Sequence, residues 1–247
     1  MDLKIALAPA LALSVFALAA CGGGNDASSD APTAEAAASE ASAPTAEAAA
    51  EPAAPAQPER LSAPEGSLAA SEMVIGSPDA PLTVTEFASV TCPGCAAFHK
   101  SAFPAIKEQL IDTGEVRFVY KEFPTPPLKY AQAGFILARC AATESGPEAY
   151  FAMVDALYKT QSTWVYGDDS AGALRNIAAQ AGIAGDDFDA CFRRDDIRSV
   201  IIESIEQGRE LNLTGTPSFI IDGAPITLRG TPEDIVAILK EEVAKRR

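Results

Sequence analysis

Between residues 22 and 70 the chain contains no Ile, Val, Phe, Tyr or Trp, and that gap decides how much of it can fold. Leu61 and Leu68 are the only large aliphatic residues of a stretch dominated by Ala, Pro, Glu, Ser and Gly. Such a segment buries too little apolar surface to offset the entropy lost on ordering it. Pro32, Pro44, Pro52, Pro55, Pro58 and Pro64 interrupt whatever helix Ala and Glu would favour. The octapeptide at 31–38 recurs at 43–50, and eight acids against one Arg give the stretch a charge of −7. Residues 21–70 therefore read as a disordered tether, with a root-mean-square span of roughly 40 Å if fully flexible. The core must come from 71–247, a length sufficient for one domain with a real interior.

Charge and cysteine content narrow the function classes. The whole chain carries 19 basic and 34 acidic residues, a net −15. That disfavours nucleic acid as a partner, because phosphate binding needs a basic face, and it disfavours broad docking on an anionic membrane. One histidine and five cysteines leave little scope for a His-rich metal site, and no metal or cofactor is expected.

Ahead of the tether, Lys4 precedes an apolar run of 16 residues, Ile5–Ala20. It is short for a bilayer span of about 20 residues and fits a secretory signal over 1–20. Its end, Leu18-Ala19-Ala20-Cys21, resembles the lipobox of bacterial lipoproteins, which implies cleavage before Cys21 and lipidation of that residue. Gly22 follows in place of the Asp that favours inner-membrane retention in such proteins, so an outer-membrane anchor facing the periplasm is expected. Removing Cys21 leaves Cys92, Cys95, Cys140 and Cys191, an even set able to pair in an oxidising compartment.

Within 71–247 the alternation of Leu82–Ala88 predicts a strand, followed by a helix opening at Cys92-Pro93 and running to about Asp112, with Gly114 just past its end. Val116–Phe123 reads as a second strand, closed by Pro124, Pro126 and Pro127. Residues 128–211 read as helices broken near Gly146-Pro147, Gly167 and Gly182–Gly185. Ser218–Ile221 and Ile226–Leu228 read as strands joined by a turn at Asp222-Gly223. Thr231, Pro232 and the acids behind them predict the start of a last helix. Trp164 and Tyr166 are expected in the core.

The chemistry centres on Cys92-Pro93-Gly94-Cys95 at the strand-to-helix junction. A sulfur at a helix N-terminus faces unpaired N–H groups and the positive end of the dipole, which favour thiolate over thiol. Pro93 suits the first helical position because no N–H is needed there. Cys92 is then the attacking or attacked sulfur, and Cys95 resolves the mixed disulfide. Three segments, Glu86–His99 (EFASVTCPGCAAFH), Lys121–Pro124 (KEFP) and Gly215–Gly223 (GTPSFIIDG), together resemble the DsbA-like branch of the thioredoxin superfamily. The resemblance covers 71–247. It implies an α/β thioredoxin fold, a mixed central sheet flanked by helices, with an all-helical subdomain inserted at about 128–211.

It also implies a cis Thr216–Pro217 bond bounding the substrate groove beside the disulfide. Glu86 matches a buried acid beneath the active pair, expected to exchange a proton with Cys95 and to take Lys121 as charge partner. DsbA itself carries a histidine at the position of Gly94, where this chain offers only a backbone N–H. The pair is accordingly expected to be less oxidising than DsbA's value of about −120 mV. Cys140 and Cys191 are expected to form a structural disulfide, as in some relatives, contributing roughly 3–4 kcal/mol by loop-closure entropy; two separate buried thiols are the alternative. His99 is expected to pack or to lie on the helix surface, with tuning of Cys95, or a zinc site with Cys92 and Cys95, as the other readings.

The leading reading is a monomeric, membrane-tethered thiol–disulfide oxidoreductase of the cell envelope. It would oxidise exported substrate proteins and be recycled by a membrane redox partner. The alternatives are a disulfide reductase or isomerase, and a redox-inactive thioredoxin-like binding lipoprotein.

Overall fold

The computed structural model describes residues 67–247, so the expected signal peptide, the lipidated Cys21 and the tether as far as residue 66 lie outside the described residues. The packed unit begins a few residues before the composition change. Leu68–Ala70 forms a 3-10 turn, and Ala69 is fully buried.

The centre is a five-stranded mixed sheet made of β1 (Met73–Ile75), β2 (Leu82–Ala88), β3 (Val116–Glu122), β4 (Ser218–Ile221) and β5 (Ala224–Ile226), in the order β1-β3-β2-β4-β5. β2 and β3 run parallel and the other pairings are antiparallel. The three inner strands, β3, β2 and β4, stand where alternation and β-branched residues predict strands. The three-residue β1 was not anticipated, being too short to show a period. The last strand is Ala224–Ile226 and not Ile226–Leu228. It places Pro225 on the edge of the sheet, where a missing N–H costs least.

The helix after β2 is broken rather than continuous to residue 112: α1 (Pro93–Ser101), α2 (Phe103–Ile106) and a π turn (Lys107–Ile111) follow one another. Pro104 lacks the N–H that would continue the ladder, which accounts for the interruption. Between β3 and β4 lies the expected all-helical insertion, α3 (Leu128–Ser145), α4 (Pro147–Lys159), α5 (Gln161–Tyr166), α6 (Ser170–Gln180), α7 (Asp186–Cys191) and α8 (Asp195–Glu210). Cys140 of α3 and Cys191 of α7 are joined by a disulfide with Cα atoms 5.7 Å apart. α8 lies so close to the sheet that a Cβ on Gly208 would sit 2.7 Å from the Phe123 ring. α9 (Pro232–Ala244) starts at a capping box in which Thr231 and Asp234 satisfy each other's backbone N–H groups. Trp164 is fully buried and donates to the Leu157 carbonyl, whereas Tyr166 is 63% exposed, against the expectation of core packing. Among the described residues no helix is long and apolar enough to cross a membrane.

Candidate active site

Cys92 is the N-cap of α1, with extended φ/ψ, and Pro93 occupies the first helical turn as expected. Its carbonyl accepts from Ala96 N–H within the helix and also from the Gln161 side-chain amide, which donates to the Val90 carbonyl as well (3.0 and 2.9 Å). A single amide from α5 thus holds the turn that presents the sulfur. Nothing in the sequence around Gln161 signals this role, because the contact spans about 70 positions.

The Cys92 sulfur lies 3.3 Å from the Thr216 carbonyl, and the Thr216–Pro217 bond is cis. The structure therefore brings together the two segments that the sequence keeps 121 residues apart. Gly94 completes the contact. A Cβ there would lie 3.4 Å from Pro217 Cδ and 3.6 Å from Cys92 Sγ, so residue 94 sits between the sulfur and the loop.

The two sulfurs, both thiols, differ sharply. The Cys95 thiol foremost, then the Thr216 side chain and the backbone N–H groups of Cys95 and Gly94, favour the thiolate and lower Cys92 from 9.0 to about 5 against opposing desolvation. The Thr216 hydroxyl itself is buried and has no hydrogen-bond partner among the described residues. Cys95 is 0% exposed. Burial, its hydrogen bond to Cys92 and the charge of Glu86 push its thiol far above the usual range.

Glu86 is also 0% exposed and faces this half of the site from β2. Its Oε2 lies 2.7 Å from His99 Nε2, and its Oε1 has no partner among the described residues. Lys121 is not its partner. In the parallel ladder Glu86 stands beside Tyr120, and Lys121 stands beside Phe87, so alternation sends Lys121 to the opposite face. There its ammonium reaches Glu72 at 3.8 Å.

His99, expected as a packing or surface residue, is 7% exposed and holds the place beside Glu86 expected of Lys121 as charge partner. Its ring packs between Phe103 and Tyr158, with centroids 4.6 and 4.7 Å away. The Tyr158 hydroxyl pairs with that of Tyr120 at 2.8 Å, and burial holds both phenols well above their usual pKa. The one sequence signal for His99 was its place four residues after Cys95, on the same helix face. Among the described residues no three His, Cys, Asp or Glu side chains converge to hold a metal ion.

A second buried acid stands two residues beyond Tyr120. Glu122 accepts from Arg139 Nε at 2.6 Å and from the Tyr150 hydroxyl at 2.9 Å on one oxygen, and from a second Arg139 nitrogen at 3.0 Å on the other. Arg139 also donates to the carbonyls of Ala69 and Ser71, and Ser67 donates to Asp196 on α8, so the start of the domain is clamped to the helical insertion.

The thioredoxin family profile matches residues 69–241. A Rickettsia typhi protein named for protein-disulfide oxidoreductase activity is 29% identical over 154 residues, 62% of this chain and 55% of that protein; the chain thus spans about half the length of such relatives. A Yersinia pestis protein named thiol:disulfide interchange protein DsbA is 27% identical over 158 residues, covering 63% of this chain and 71% of that one. Among solved structures, alpha-DsbA1 of Wolbachia pipientis superposes with a TM-score of 0.63 at 26% identity, over 71% of this chain and 92% of that chain.

Proposed function

The chain belongs to the thioredoxin family, in its DsbA-like branch, and on that premise we propose that it is a thiol–disulfide oxidoreductase acting as an oxidase of exported proteins. The observation that carries this reading is the asymmetry of the two sulfurs beside the cis Thr216–Pro217 loop: Cys92 part-exposed with its thiol lowered to about 5, Cys95 buried with its thiol raised. A substrate thiolate attacks Cys92 Sγ of the disulfide. The Cys92–Cys95 bond breaks, the electron pair stays on Cys95, and that sulfur takes up one proton. A second substrate thiolate attacks the mixed disulfide, and Cys92 leaves as a stable thiolate. The substrate has lost two electrons, which the cysteine pair now holds and a membrane partner removes. Thr216 and Pro217 bound the groove in which the substrate chain lies, and Glu86 exchanges the proton with Cys95. Cys21, lipidated, would anchor the domain to the periplasmic side of the envelope, in the outer membrane; a Cys21→Ala chain would then leave the membrane fraction.

The test is a redox titration against glutathione across pH. Reduction that yields one thiolate and one thiol consumes two electrons and one proton, so the potential should fall by about 30 mV per pH unit above pH 5 and about 59 mV per unit below it. A slope of about 59 mV throughout the neutral range would remove the asymmetry on which the reading rests. With Gly94 giving only its N–H, the neutral-pH potential should be more negative than about −120 mV. A strongly reducing value, with insulin reduction faster than dithiol oxidation, would reverse the direction to that of a reductase. Cys92→Ser should abolish exchange either way; unchanged cellular function of that variant would favour the binding-lipoprotein reading.

A further inference from the structure

We propose that His99 is a positioning residue that carries protons between a rear cleft and Glu86, giving buried Cys95 a proton route separate from the substrate groove. The inference rests on the reading of Cys92–Cys95 as a redox pair. When the mixed disulfide forms, Cys95 must gain one proton, and when the pair is reoxidised it must lose one. At the first of these moments the substrate occupies the mouth formed by Cys92, Gly94, Thr216 and Pro217, and Cys95 itself has no exposed surface.

Behind the site the residues form a chain. Glu86 has one free carboxylate oxygen on the Cys95 side of the sheet and the other on His99 Nε2. His99 Nδ1 has no hydrogen-bond partner among the described residues, and His99 lines a cleft of about 780 Å³. None of the four mouth residues lines that cleft. Its walls include Phe103 and Phe151, and Lys107, Asp112, Glu148 and Asp155 bring it to the surface. The titratable groups facing His99 inside are Glu86, Tyr120 and Tyr158, with Cys95 one turn earlier on α1, and burial keeps the two phenols protonated. An imidazole suits the task because it accepts at one nitrogen and donates at the other near neutral pH. On reduction a proton enters at Nδ1, leaves from Nε2 to Glu86 and passes to the Cys95 sulfur as the Cys92–Cys95 bond breaks. On reoxidation it returns by the same atoms, which restores the starting tautomer.

The experiment is the rate of reduction of the Cys92–Cys95 disulfide by dithiothreitol, followed by quenched alkylation between about pH 5.5 and 8. It compares wild type, His99→Gln and His99→Ala, each with and without imidazole. Gln keeps a donor for Glu86 but carries no proton. Both variants should slow the rate at neutral pH about tenfold, less than the roughly hundredfold or more lost with a group that meets the reacting atom directly, because His99 acts through Glu86. Imidazole entering the cleft should restore His99→Ala and leave His99→Gln slow, while the alkylation pKa of Cys92 stays near 5 in all three. A His99→Gln rate within about twofold of wild type across the range would overturn the proposal. So would a folded His99→Ala chain that imidazole does not accelerate. Should His99→Ala not fold, His99→Gln decides alone. A wild-type protein that fails to exchange with dithiothreitol at all would instead sink the redox reading itself.

Discussion

Glu86 and Glu122 are two fully buried carboxylates on neighbouring parallel strands, facing the same side of the sheet, and their surroundings differ in kind. Glu122 accepts three hydrogen bonds, two of them from one guanidinium, and every oxygen is used. Glu86 has one partner, a ring nitrogen, and an oxygen that bonds to nothing among the described residues. Burying a carboxylate is costly unless its lone pairs are satisfied. The saturated acid therefore fixes structure. The under-saturated one, on the Cys95 side of the sheet, keeps an oxygen unengaged for the proton exchange proposed above.

The contrast predicts a ranking of stability losses. Glu122→Ala leaves Arg139 buried without its counter-charge and should cost about 3–5 kcal/mol in denaturant unfolding. Alkylation of Cys92 in the folded variant should be unaffected, and a large change there would tie the two acids together. Replacing both Cys140 and Cys191 by Ser removes the link between α3 and α7 next to Arg139, and should cost roughly 3–4 kcal/mol by the same measurement. Glu86→Gln keeps a bond to His99 and trades a buried carboxylate for an amide. Its stability should move by less than about 1 kcal/mol while disulfide reduction slows. A stability loss equal to that of Glu122→Ala would break the comparison. Lys121→Ala removes a part-exposed 3.8 Å ion pair with Glu72 and should cost no more than about 0.5 kcal/mol, with no change in reduction rate.

What could be read from the residues alone follows from the range of the forces involved. The strand at Leu82–Ala88, the Pro93 start of α1 and the Thr231 cap are set by neighbours within four positions, and they stand where the local pattern put them. The pairing of the Cys92 turn with Thr216–Pro217 was accessible only through the family resemblance, since no local rule joins residues so far apart. Glu86 was legible as a buried acid on an apolar strand, but its partner was not. Choosing between Lys121 and His99 needed the β2–β3 register, and a one-residue step in register exchanges the two faces of a strand. Gln161 and Arg139 act through contacts that cross from the helical insertion to the sheet, and their own neighbours in sequence give no hint of it.

The clamp at the beginning of the domain has a mechanical consequence. Tension on the chain ahead of Ser67 is received first by Asp196 and by the two carbonyls gripped by Arg139, whose other nitrogens are tied to Glu122. The load is shared between the insertion and the middle of the sheet before it can peel β1 from the edge. A protein held on a leash from this end would keep its reactive sulfur in register while being pulled.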